Sequence, residues 1–249
     1  MLSLAVGDFL DHAGATPMFG LDSQSIVERA TASGRESRVP TLSASIWRGA
    51  LGFTVVSLGG FAPWVLAGRW FYRNVGETGL YIACAIMFIG LSGWLLHRLI
   101  IGPGSLVRFY QLFGLAFVAY AILWTIAWMA LGGNRGGVVG ALAGTAVMGV
   151  IFVAGFGAWK ALLKVVVVLF VANALGYFLG GWAYQAVGML KEGNSLWIVL
   201  GTTTRSAMAK LAWGVFYGLG FGAGIGHAFH ACQADARKLL LAKRETPIS

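Results

Sequence analysis

The side chains best suited to chemistry in this sequence are its histidines. His227 and His230 stand three apart, on neighbouring positions of one helix, and His97 closes a separate apolar run. Two helices that each offer an imidazole can hold a haem, a chlorin or a transition metal through the ring nitrogens. The plainer reading is that a histidine at a helix C-terminus sits favourably against the negative end of the dipole. No acid or thiol is spaced beside these imidazoles, so that reading comes first and no cofactor is expected. Cys84 and Cys232 supply neither a disulfide framework nor metal-ligand spacing.

Two polar features come next. Asn173 falls in the middle of an apolar run, where an amide needs a hydrogen-bond partner and either joins two helices or lines a solute path. The run Thr202-Thr203-Thr204-Arg205 opens the last apolar segment. Its hydroxyls can cap a helix, and free N–H groups beside Arg205 would suit an anion. Asn173 with Thr202 to Arg205 is therefore the candidate solute path.

Other chemistries are disfavoured. All nine acids, Glu77 among them, read as lying in tails or loops, which argues against a proton relay of intramembrane carboxylates. There is no HExxH, no carboxylate pair for hydrolysis, and no base beside Ser92 or Ser206. The alternating glycines from Gly218 to Gly226 follow no strand, so they are not a dinucleotide loop. An enzyme is not expected.

The elements that must position these groups are apolar helices. Of 249 residues, 58% are hydrophobic and only 11% charged, against about 25% charged in a soluble domain. Lipid is the solvent that tolerates such stretches. The sequence reads as an all-α polytopic membrane protein of about six spans. They run over Ile46–Ala67, Thr78–Leu96, Leu106–Leu131, Gly137–Trp159, Val165–Val187 and Ala207–Phe229. Residues 1–45 form a tail and 46–230 the membrane domain, with a basic tail over 231–249. In the first tail Met1–Leu10 suits an interfacial amphipathic helix, and a second short helix is expected over Ser23–Ala32. Residues 195–201 are apolar but too short to span, and suit an interfacial or re-entrant piece.

Charge sets the orientation. Eleven Lys and Arg, including Arg48, Arg98, Lys160 and Arg237, gather at one set of span ends. Six, including Arg69, Arg135 and Arg205, gather at the other. Both termini are thus expected in the cytoplasm, with the chain in the inner (plasma) membrane. The net charge of +9 reads as topology, and no nucleic-acid partner is expected. Trp47, Trp94 and Trp159 fall at one interface and Trp64, Trp128 and Trp182 at the other, as an aromatic belt does.

Three short matches, such as Gly60–Trp64 with Gly155–Trp159, suggest a 3+3 inverted repeat. With 37 glycines in the chain, chance supplies such matches as well. Glycine faces are expected to pack helices closely: Gly140 with Gly144, and the ladder Gly214, Gly218, Gly222 and Gly226. Two functions remain open: a small transporter or channel-like protein for a small solute, or a structural or accessory subunit of a larger membrane complex, pigment- or haem-associated in one version. Lipid is the first partner, and a homo-oligomer or membership of a complex is expected.

Overall fold

The structure is a computed structural model, which describes residues 18–32, 39–189 and 201–245. It is an all-α polytopic membrane bundle. The expected interfacial helix at Met1–Leu10 and the piece over 195–200 lie outside the described residues.

Helix α1 (Ser23–Ala32) starts where the Asp22 carboxylate accepts from the Ser25 N–H at 3.0 Å. After Pro40, the Thr41 hydroxyl caps α2 (Leu42–Gly60) by accepting from Ala44 N at 3.2 Å. The first span is not the single straight helix expected over Ile46–Ala67. It breaks at Phe61, because Pro63 cannot donate a backbone hydrogen bond, and resumes as α3 (Ala62–Asn74). Helices α4 (Gly76–Leu96) and α5 (Ser105–Leu131) follow, joined by a 3₁₀ turn over His97–Leu99 and the turn at Gly102-Pro103-Gly104.

Helix α6 (Gly133–Phe156) begins four residues earlier than expected, so the glycine-rich turn shrinks to Gly132. Its other end also falls short of Trp159. Gly157 takes φ 65°, and its N–H and that of Ala158 return to the last turn, which ends the helix. Trp159 then lies in a 3₁₀ turn before α7 (Leu162–Met189). The last two helices are α8 (Gly201–Cys232) and α9 (Ala234–Glu245).

Neighbours in sequence are neighbours in space. Helix α2 packs on α4, α4 on α5, α5 on α6, α6 on α7, α7 on α8 and α8 back on α2. Two halves, α2-α4-α5 and α6-α7-α8, would give this order, and so would any six-helix ring closing in sequence. Helix α3 has no counterpart in the second half, where only the 3₁₀ turn Trp159–Ala161 intervenes.

Five segments among the described residues are long and apolar enough to cross a membrane, with α2 and α3 forming one of them. Helix α8 is not among the five, since glycines replace aliphatic side chains along it. At 32 residues it is nevertheless about 48 Å long, beyond the ~30 Å of hydrocarbon. It packs between α2 and α7, each part of an apolar segment long enough to span. Helices α1 and α9 pack together at one end of the bundle. Gln233, at the α8–α9 joint, locks that end. Its carbonyl accepts from Ile101 N at 2.9 Å, and its amide donates to Leu99 O and Phe229 O, each at 2.9 Å.

Helix α8 sits between α2 and α7. Gly214, Gly218, Gly222 and Gly226 face α2, where a methyl on Gly218 would lie 2.5 Å from Thr54 Cα. Gly220 and Gly224 face α7, where a methyl on Gly220 would lie 2.5 Å from the Ala172 carbonyl oxygen. Backbones this close gain dispersion and Cα–H···O contact. The half of the bundle near α1 and α9 is filled by rings. Phe109, Phe113 and Phe117 stack one turn apart along α5, at 5.0 and 5.5 Å, and Phe53, Phe221 and Phe229 close the space beside them. Large apolar side chains face outward, Leu66 at 83% exposure and Leu163 at 78%, as a lipid-solvated surface requires.

Candidate functional site

The opposite half of the bundle is hollow. A cavity of about 340 Å³ lies among α3, α4, α5, α7 and α8. Helical periodicity builds it. Glu77, Tyr81, Cys84 and Phe88 fall on one face of α4, and Phe117, Tyr120, Trp124 and Trp128 on one face of α5. Trp213 and Tyr217 come from α8, Tyr177 from α7, and Trp64 and Tyr72 from α3. From Glu77 to Phe88 is about 16 Å along the helix axis, roughly half the hydrocarbon thickness. Glu77 and Tyr72, exposed near helix ends, mark its mouth, with Trp128 beside them. Phe88, Phe117, Tyr120 and Tyr217 form the floor.

Most of the rings stand against a glycine. A methyl on Gly144 would lie 2.5 Å from the Tyr120 ring, and one on Gly60 2.6 Å from Phe88. Gly140 and Gly137 make the same room for Trp124 and Tyr177, each at 3.0 Å, and Gly180 receives Trp213. The pair Gly140/Gly144 therefore seats cavity rings as well as bringing α6 onto α5.

Beneath the floor lies a buried polar cluster. Asn173 is 1% exposed, its amide donates to the Tyr120 hydroxyl at 3.3 Å, and that hydroxyl lies 3.5 Å from the Tyr217 hydroxyl. The cluster joins α5, α7 and α8. Asn173 is thus an interhelical partner behind the wall, and the tyrosines are what reach the cavity.

Charge enters at the mouth. Glu77 is in the first turn of α4, not in a loop, and its carboxylate accepts from the Tyr81 hydroxyl. Among the described lining residues it is the only charged side chain. Lys210 lies beside the cavity, where its Nζ donates to Trp64 O at 2.9 Å and stands 4.8 Å from the Trp64 ring centroid. A second hollow, about 350 Å³, lies beyond Tyr177 and Trp213 and is lined also by Asn134, Trp182, Tyr184 and Gln185. Tyr177 and Trp213, 5.5 Å apart, form the wall between the two.

The other sequence candidates fall elsewhere. Thr202, Thr203 and Thr204 lie inside the first turn of α8, with Thr203 and Thr204 exposed and Arg205 half-buried. Arg205 is twelve residues from Tyr217, about 18 Å along the axis, so this run and Asn173 do not form one continuous site. His97 Nδ1 donates back to Gly93 O at 3.0 Å, as a helix-end imidazole does. His227 is buried with Nδ1 unpartnered, and the His230 backbone carbonyl accepts from Arg237. Among the described residues, no group of three or more His, Cys, Asp or Glu could hold a metal ion.

Two of the belt tryptophans are reassigned. Trp94 faces outward at 72% exposure and Trp182, at 68%, borders the second hollow, but Trp64 and Trp128 turn inward and line the cavity. Position along a helix does not reveal which face a ring takes. The missed signal was the spacing of Phe117, Tyr120, Trp124 and Trp128 on one helix, with glycines on the next. Compared with known proteins, the chain matches no family model, no curated protein sequence and no solved structure.

Proposed function

We propose that this membrane protein is a small-solute transporter or channel-like protein whose binding site is the aromatic cavity. The observation that carries this reading is the cavity itself: some 340 Å³ held open at one end of a bundle whose other end is packed solid with phenylalanine. A subunit that only fills space has no need of such a hollow, because closing it would gain apolar contact. A site open toward one face and closed toward the other is one end-state of alternating access. Tyr177 and Trp213, which divide the two hollows, are the side chains whose rotation would join them. On this reading both termini lie in the cytoplasm of a cell bounded by its inner membrane, with the cavity mouth outside, as the Lys and Arg distribution favours.

The test is solute uptake into liposomes carrying the purified chain, run across a panel of amines, carboxylates, sugars and aromatic solutes. Saturable uptake of one class, abolished by the cavity-filling substitution Ala121→Trp, is the expected outcome. If the chain moves no solute and is recovered from its membrane only with stoichiometric partner subunits, it is an accessory subunit instead.

A further inference from the structure

We infer that the cavity takes an amphiphilic organic cation: a quaternary or protonated amine carried on an apolar, preferably aromatic body. This rests on the cavity being the binding site. Twelve of the eighteen lining residues are aromatic, and ring faces carry partial negative charge that favours a cation and disfavours an anion. Among the described lining residues the one formal charge is negative. Glu77 is exposed at the mouth, and Tyr81 donates to one of its two carboxylate oxygens, so the carboxylate keeps acceptor capacity.

The depth of the cavity separates the two ends of the ligand. Below Tyr81 the walls include Cys84, Ala85, Phe61, Phe88 and Phe117, which offer no charge and suit an apolar body. Trp64 already has an ammonium, Lys210 Nζ, over its ring, so a ligand cation gains little there and would meet that charge. The mouth, with Glu77, Tyr72, Tyr81 and Trp128, is where it gains most. Neutral ligands of the same shape lose the carboxylate and the ring quadrupoles together, and anions meet both as repulsion.

Binding is measured by calorimetry on the full chain in nanodiscs, with empty nanodiscs subtracting partition into lipid. The probes are benzyltrimethylammonium, its neutral isostere neopentylbenzene, and the anion phenylmethanesulfonate. Location is read by mass spectrometry of N-ethylmaleimide alkylation at Cys84, which lines the cavity, with Cys232, also buried but away from it, as the internal reference. The expected result is saturable binding of the ammonium that slows Cys84 alkylation, at roughly tenfold higher affinity than the neutral isostere. The sulfonate should not bind. Because Glu77 is exposed, Glu77→Gln should weaken the ammonium by only about fivefold and Glu77→Asp by less, with the neutral probe unchanged. Equal binding of the neutral probe, or indifference of the ammonium to Glu77→Gln, would overturn the cation assignment while leaving the cavity as the site. Saturable binding by none of the three would overturn the cavity reading and this inference together.

Discussion

At the scale of the residue, buried polar groups decide what can change. Asn173 and the Tyr120 and Tyr217 hydroxyls form one buried polar cluster. Removing the amide leaves phenol groups to find new partners. Asn173→Leu should therefore lower stability by about 0.5–2 kcal/mol, the range of interhelical hydrogen bonds in membranes, read as a shift in thermal unfolding in detergent. Gln233 makes three hydrogen bonds and is 2% exposed, so Gln233→Ala should cost more, about 1–3 kcal/mol. Its effect should appear as faster amide hydrogen exchange over residues 97–104 with the distant cavity unchanged. Equal loss of protection throughout the bundle would contradict the local role assigned to this side chain.

At the scale of the element, α8 depends on having no side chains on two faces. Gly222 meets the backbone of Gly49 across the contact, so even Gly222→Ala must push α2 away, and Gly222→Leu should prevent the pair from seating. A methyl on Gly181 would meet nothing within 4 Å, so Gly181→Ala should be neutral or stabilising by up to about 1 kcal/mol through helix propensity. Thermal unfolding of the two alanine variants side by side checks this. Similar destabilisation in both would mean that glycine acts through helix flexibility and not through close approach. The break at Phe61 is a second dependence of this kind. It lets α3 diverge from α2 and lean on α4, which brings Trp64 and Tyr72 to the cavity.

At the scale of the whole molecule, the packing of α1 on α9 predicts that both lie on one side of the membrane, with α8 as a sixth crossing. Single cysteines at Thr203→Cys, in the first turn of α8, and at Lys238→Cys, on exposed α9, should react with an impermeant maleimide from opposite sides of sealed vesicles. Reaction from the same side would remove α8 from the membrane and leave five spans. The molecule also divides lengthwise: solid phenylalanine packing at the end bearing α1 and α9, and a hollow ringed by tryptophan and tyrosine at the other.

Hydropathy determined the class of this protein, its all-α character and its long helices, because each apolar run must satisfy its own backbone in lipid, but it marked neither α3 as a separate helix nor α9 in the basic tail. Spacing alone marked the ladder from Gly214 to Gly226 and the lone amide of Asn173. The tertiary structure decided which faces meet. Trp64 and Trp128 carry the same sequence signal as Trp94 and Trp182, yet turn inward, because only the packing of α3 and α5 around the hollow says which side is lipid. Glu77 reads as a loop acid until the first turn of α4 carries it to the mouth of the cavity. Linear pattern records what a helix is made of, but a cavity is formed by residues from five helices, and its walls exist only once those helices are set against each other.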